Sequence, residues 1–269
     1  MKIDMQNDLF YRAKEWILEA GQIIKEKINE PLNVDTKSDP NDLVTKMDKN
    51  IEKFFVKNIK REFPNHLLFS EEGYGDEISS LDGIVWIIDP IDGTMNFVHQ
   101  KRNFAISIGI YQDGIGQIGL IYDVMADDLY SAKRGMGAYK NDRKLEMLSK
   151  DVMLNEAILG LNHLWLCNNQ LIEQQVMQNL VRKIRGSRTY GSAALEFAYV
   201  AEGSLDGYLS MRLSPWDFAA GVILVNEVGG LTTNMYGKPL NMLEKSSILT
   251  CNPYLQQNIV RDFLEKGKK

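Results

Sequence analysis

The sequence predicts a mixed α/β protein whose helices and sheets stack in layers. Three observations lead there. The first sixty residues hold two stretches with helical periodicity. The middle of the chain holds short strand-like runs broken by turn residues. The remainder alternates strand-like and helix-like segments. The chain has 269 residues, 44% hydrophobic and 25% charged, an ordinary globular composition. A chain of this length buries roughly 75% of its unfolded surface, so its core needs no disulfide support.

Residues 8 to 29 read as an amphipathic helix, with Leu9, Ala13, Trp16, Ile17, Ala20, Ile23, Ile24 and Ile28 at steps of three and four. The turn-rich loop "NEPLNVDTKSDPND" follows. A second helix fits 46 to 62, with Met47, Ile51, Phe54, Phe55 and Ile59 on one face. "HLLFSEEG" is a short strand ending in two glutamates, and "GIVWIID" a continuous apolar strand covered on both faces. From 103 to 140, "NFAISIGIYQ", "GQIGLIYDV", "DLYSAKR" and "GAYKND" predict an antiparallel meander.

Beyond 150, "AILGLN" is a strand, 168 to 183 a helix, "GSAALEFAYVAEG" a helix and "LDGYLS" a strand. "PWDFAAGVILVNEVGG" is a helix ending at its glycines, "SILTCN" a strand, and 253 to 265 a last helix. No internal repeat or low-complexity linker occurs. The change of pattern near 145 to 155 divides the chain into two interlocked lobes, 1–148 and 149–269.

Composition excludes several classes of function. The net charge of −5 and pI near 5.4 give no bulk attraction to a nucleic acid polymer or an anionic membrane. No window approaches the ~18 apolar residues of a membrane-spanning helix. The charged N-terminus lacks the apolar centre of a signal peptide, and the expected location is the cytoplasm. Cys167 and Cys251 lie far apart without C-x-x-C spacing and read as reduced, partly buried thiols. "GIGQIG" at 114 to 119 matches a dinucleotide-binding pattern by letter. A strand rather than a helix follows it, which makes it a glycine hairpin. His66, His99 and His163 show no ligand spacing, and an EF-hand loop starting at Asp89 would find Ile91 and Gly93 where it needs acids.

What remains is acidic. In "WIIDPIDGTMNF" an apolar strand exits into Asp89 and Asp92. The residue before a proline is held extended, so Asp89 would cap the strand end and Pro90 would turn the chain. Gly93 would allow a tight bend, and Thr94 would open a short helix. Two close carboxylates repel unless a cation or a proton offsets them. An ordinary Asp-Pro turn also accounts for the dipeptides. Glu71 and Glu72 end the preceding strand, where alternation lets only one of them face the same place. Asp48 in Thr45-x-x-Asp48 reads equally as a capping box. Asp217, after Ser214 and Pro215, reads equally as a helix start.

"WIIDPIDGTMNFVH" and "PWDFAAGVILVNEVGG" resemble the two signatures of the inositol monophosphatase family, with "DLVTKMDKNIEKFF" and "FSEEG" in the expected order. The resemblance runs from about residue 8 to about residue 250. It implies an α/β/α/β/α sandwich of the inositol monophosphatase and fructose bisphosphatase type, most of whose metal ligands lie in the 1–148 lobe. It implies a magnesium-dependent phosphomonoesterase holding two to three ions, with manganese as a substitute, often lithium-sensitive and often a homodimer. By position, Glu71, Asp89 and the Ile91 carbonyl would hold the first ion, and Asp89, Asp92 and Asp217 the second. A third would lean on Glu71. The amides of Gly93 and Thr94 would bind phosphate. Thr94, paired with Asp48, would orient the attacking water beside Glu71. Gly191, Ser192 and Ala193 would contact the alcohol, and Lys37 would lend positive charge. Direct in-line attack by a metal-activated water suits this donor set, since hard cations prefer oxygen ligands.

Inositol-preferring members carry a glutamate seven residues before the second-signature aspartate. Here Ser210 stands there, with Arg212 nearby. Inositol monophosphate or a related small sugar or nucleotide phosphate is the expected substrate. NADP through its 2'-phosphate, or fructose 1,6-bisphosphate, is the alternative, with Arg212 as the contact to a second anion. An exposed surface arginine accounts for Arg212 equally. A divalent-cation-binding regulatory module is the non-enzymatic alternative.

Overall fold

The computed structural model describes residues 1–30, 34–36 and 43–267. Its elements run α1 (Ile3–Lys27), β1 (Val34–Thr36), β2 (Leu43–Thr45), α2 (Lys46–Glu62), β3 (Leu67–Ser70), β4 (Ile84–Asp92), α3 (Thr94–Gln100), β5 (Ala105–Gln112), β6 (Ile115–Asp123), β7 (Asp128–Lys133), β8 (Gly137–Lys140) and β9 (Arg143–Lys144). The second half continues with β10 (Ile158–Leu161), α4 (Gln174–Lys183), β11 (Gly186–Arg188), α5 (Ala193–Ala201), β12 (Gly207–Leu213), α6 (Pro215–Glu227), β13 (Leu231–Thr233), β14 (Ser246–Cys251) and α7 (Pro253–Asp262).

Strands β3 to β9 form a seven-stranded sheet in chain order, with β3 parallel to β4 and the rest antiparallel. A five-stranded sheet has the order β11-β10-β12-β14-β13. Apolar alternation on these strands builds three cores. Trp86 and Ile88 of β4 face Leu9, Trp16, Ile51 and Phe55 of α1 and α2. Val85 and Ile87 face the opposite way, toward Phe197 of α5 and Phe218 and Ala219 of α6. That middle core also takes in Tyr208 and Ile248 of the smaller sheet. Leu209 and Leu249 of the same strands point to the third core, with Leu180 of α4 and Ile259 of α7. The layers therefore read helix, sheet, helix, sheet, helix. The burial of β4 on both faces confirms what its unbroken apolar run predicts. No helix among the described residues is long and apolar enough to cross a membrane.

The meander and the 46 to 62 helix fall where the sequence puts them, and Ile115 opens a strand, as the hairpin reading of "GIGQIG" requires. Four expectations need correction. Helix α1 starts at Ile3, not at residue 8, and Gln6 in its first turns is buried with its amide donating to the Gln117 carbonyl. Helix α4 starts at Gln174, not 168, because Asn169 Oδ1 accepts the amides of Leu171 and Ile172 at 2.9 and 3.0 Å. A side chain that takes up those amides holds the backbone in a turn. The third concerns Asp89 and Pro90 and bears on the site. Cys251 is buried, whereas Cys167 is exposed, which the sequence reading did not foresee.

Candidate active site

Strand β4 does not end at Asp89. It runs to Asp92, and its register with β5 slips between the pairs Asp89↔Ser107 and Asp92↔Ala105. Three steps on β4 match two on β5, so one extra residue is bulged out. Pro90 lacks an N–H and suits such a break in the ladder. The bulge decides the chemistry. In a regular strand, residues three apart point to opposite faces. The extra residue returns Asp92 to the face of Asp89, while Ile91 drops into the core on the α1/α2 side. Both acids now face the middle layer, where Asp217 in the first turn of α6 meets them. Carboxylate oxygens of Asp89, Asp92 and Asp217 all lie within 4.8 Å of one another.

Glu71 joins them through the parallel pairing of β3. Ser70 is opposite Ile88, so Glu71 comes next to Asp89, and its charge is among those that raise the Asp89 pKa. Burial, then the charges of Glu71, Asp92 and Asp217, hold the Asp89 carboxyl well above the usual range. Asp217 is raised for the same reasons, burial first and then Asp92 and Glu71. Asp92 is pushed up to about 6 by burial, although hydrogen bonds from Ser192 and Ala194 pull the other way. Without a cation the fold holds these acids against their preference to ionise.

Each acid is anchored by a separate contact. Asp92 Oδ2 accepts the Ser192 hydroxyl and, at 2.8 Å, the Ala194 amide. Asp89 Oδ1 accepts the Ile91 amide at 3.0 Å. Asp217 Oδ2 accepts the Ser214 amide at 2.8 Å, closing a capping box. Asp48, fully buried, accepts the Thr45 amide at 2.8 Å through Oδ2. Its Oδ1 accepts the Thr94 hydroxyl at 3.2 Å. Burial raises Asp48 to about 6, against the lowering effect of the Thr45 bonds. The capping and site readings are therefore compatible: Asp48 gives one oxygen to the helix and the other to Thr94, and Asp217 caps its helix while lying within the carboxylate cluster.

Gly93 has φ of +92°, and a Cβ there would stand 3.2 Å from the Gly191 carbonyl and the Ser192 Cβ. Glycine is needed both for the left-handed backbone and for this close approach. Its turn starts α3 at Thr94, whose first amides have no carbonyl partner within the helix. Gly191, Ser192 and Ala193 thus sit against Gly93 and Asp92. Ser210 is buried on β12 and Arg212 on the same strand is exposed. Lys37 lies outside the described residues.

Two buried glutamates escaped the sequence reading. Glu52 accepts the amides of Glu72 and Tyr74 at 2.6 and 2.7 Å. Its signal is position: it stands four residues after Asp48 on the face that carries Ile51 and Phe55 into the core. Glu196, 3% exposed, accepts the Tyr190 amide at 2.8 Å and braces the loop that delivers Ser192. Its signal is likewise a charge inside the apolar run "AALEFAYVA".

The donor set is all oxygen and clustered, with Asp89 and Asp92 buried and Asp217 partly so, which fits a hard divalent cation. Comparison with known proteins identifies the family. The sequence profile of the inositol monophosphatase family matches residues 5–268. An inositol-1-monophosphatase of Bacillus subtilis is 55% identical over 95% of this chain and 96% of its own length. The staphylococcal SaIMPase-II solved with inositol monophosphate bound superposes with a TM-score of 0.87 at 43% identity, covering 96% of this chain and 94% of that one. The same enzyme solved with 2'AMP bound gives 0.88 at 45%, covering 96% and 95%. With its layered fold and its acids converging between the two sheets, the chain is a phosphatase and belongs to the inositol monophosphatase family.

Proposed function

We propose that the chain hydrolyses inositol monophosphate and related small phosphate monoesters in dependence on magnesium. The observation that carries this is the meeting of Asp89, Asp92 and Asp217 within 4.8 Å, with the Thr94–Asp48 hydrogen bond beside them. Glu71, Asp89 and the Ile91 carbonyl would hold one ion, and Asp89, Asp92 and Asp217 a second. The Ile91 carbonyl already accepts the Thr94 hydroxyl at 3.1 Å, and a carbonyl oxygen carries a second lone pair with which it would bind a cation. A weaker third ion on Glu71 and replacement by manganese belong to the same reading. Magnesium bound there would lower the pKa of water, offset the phosphate charge and stabilise the leaving alkoxide.

The chain's own groups do the rest. The Gly93 and Thr94 amides, at the turn into α3, point donors at phosphate oxygens. Thr94 accepts a hydrogen bond from the attacking water only when its own proton is directed to Asp48 or to the Ile91 carbonyl, and both acceptors are in place. Glu71 lies beside that water. A new P–O bond forms as the ester P–O bond breaks, and the departing alcohol oxygen takes up a proton. Gly191, Ser192 and Ala193 border the space for the alcohol.

A second reading shares the chemistry and changes the alcohol. Buried Ser210 is too short to replace a glutamate that would accept from ring hydroxyls, and exposed Arg212 offers a charge to a second anion. The relative solved with 2'AMP favours testing NADP, 2'AMP and fructose 1,6-bisphosphate alongside inositol 1-phosphate. Phosphate release with magnesium, lost on adding EDTA, is the expected result. Release unaffected by EDTA, or no release from any of the four, would overturn the reading. A homodimer, lithium inhibition and a cytoplasmic location complete the proposal, the first checked by light scattering and the second by lithium titration.

A further inference from the structure

We propose that Glu52 is a positioning residue that fixes the chain just after Glu71 and thereby sets where the Glu71 carboxylate stands. Glu52 lies one helical turn beyond Asp48 on α2, and both are fully buried. Its two oxygens accept separate backbone amides, Oε2 that of Glu72 at 2.6 Å and Oε1 that of Tyr74 at 2.7 Å. Charge-assisted bonds of this kind are short and strong. They grip the segment immediately after β3, before it loops away, so the backbone of Glu71 is held from one side by β3 and from the other by Glu52. Helix α2 therefore carries two carboxylates with parallel tasks. Asp48 holds Thr94, and Glu52 holds the segment that bears Glu71.

The far end of the same loop is tied by different means. Asp76 donates its amide to the Leu68 carbonyl at 2.6 Å, and its carboxylate accepts the Leu68 amide at 2.8 Å and pairs with Lys60 at 2.6 Å. That attachment stabilises the loop without touching Glu71, which makes it a built-in comparison. If Glu52 were only a structural anchor, losing either attachment would have the same effect on the site. If it positions Glu71, the two losses differ.

The inference rests on the reading of Glu71 as a metal ligand, and the test separates the two. Glu52→Gln keeps the shape but turns an NH2 group toward one of the two amides. In the metal-free protein, amide hydrogen exchange at Glu72 and Tyr74 is expected to rise at least about tenfold, with exchange elsewhere on α2 and β4 unchanged. Magnesium binding followed by calorimetry is expected to weaken by about tenfold or more, while kcat at saturating magnesium falls much less. Lys60→Met is expected to lower thermal stability without changing magnesium affinity. Wild-type exchange at Glu72 and Tyr74, or wild-type magnesium affinity in Glu52→Gln, would overturn the proposal. Glu71→Gln distinguishes the failures. Weak magnesium binding in Glu71→Gln with normal binding in Glu52→Gln sinks the positioning role alone, and normal binding in both sinks the ligand reading of Glu71. Should Glu52→Gln fail to fold, Glu52→Asp, which keeps the charge but shortens its reach, takes the same measurements with the same outcomes.

Discussion

The Thr94 hydroxyl lies 3.2 Å from Asp48 Oδ1 while Asp48 Oδ2 accepts the Thr45 amide at 2.8 Å. One carboxylate thus joins the start of α2 to the start of α3. The two roles separate by mutation. Thr94→Ala removes the hydroxyl and leaves the α2 cap intact, so kcat should fall about a hundredfold or more with little change in thermal midpoint. Thr94→Ser should restore most of the rate. Asp48→Asn should lose rate with little change in thermal midpoint, because its remaining carbonyl oxygen can still accept the Thr45 amide. Steady-state kinetics with a melting curve for each variant checks all three.

Asp217→Asn should behave in opposite ways with and without metal. Asparagine keeps a side-chain oxygen that can accept the Ser214 amide, so that bond survives and only the charge is lost. In EDTA the variant should melt at or above the wild-type temperature, since one of several mutually repelling buried charges is gone. With magnesium the wild type should gain several degrees by binding and the variant much less, with activity nearly abolished. An equal magnesium-induced gain in both proteins would remove Asp217 from the ligand set.

Glu196 gives the metal-free protein a pH dependence of definite sign. Its Oε2 has no hydrogen-bond partner among the described residues, and burial raises the group from 4.5 to about 7. The unfolded chain releases this proton near 4.5 and the folded protein keeps it to about 7. The stabilising contribution is full below 4.5 and is lost as pH rises through about 7. It amounts to at most about 3 kcal/mol. Asp48 and Asp92, both raised to about 6, act in the same direction. Glu196→Gln removes only its own share, so urea denaturation at pH 5 and pH 8 should show a smaller difference in the variant than in the wild type. Equal differences would count against a raised Glu196.

Substrate choice should follow β12. Arg212→Ala should reduce kcat/KM for a bisphosphate or NADP substrate by about tenfold or more, as expected for loss of a charged contact, and leave a monophosphate nearly unchanged. Ser210→Glu should shift preference toward inositol 1-phosphate by restoring a carboxylate at that position. A substrate panel on both variants decides, and an equal effect of Arg212→Ala on both classes would sink the second-anion contact.

Much of this molecule is legible in its sequence because strong periodicity survives tertiary context. The α2 pattern from Met47 to Ile59 and the apolar run from Val85 to Ile88 both fall in place. The strands β9, β11 and β13 have two or three residues each, too few for any period to register. The acids of "DPIDGT" could be picked out, but not how they come to share a face. A turn and a bulge both place a proline at this point, and only the pairing with β5 decides between them. Glu52 and Glu196 went unseen because periodicity registers only the apolar residues around them, although a charge in that place is itself a sign of a buried partner.

The anchors of the acids also bear on the order of events during folding. Asp48, Glu71, Asp89, Asp92 and Asp217 come from α2, the end of β3, β4 and α6, and Asp92 is further held by residues at the start of α5. These pieces are remote in sequence and meet only when both sheets have closed on the middle helices. A cation cannot template the early stages of such a chain, because its binding groups do not yet lie together. Magnesium should therefore leave the refolding rate nearly unchanged and slow unfolding instead, acting as a latch on the finished structure.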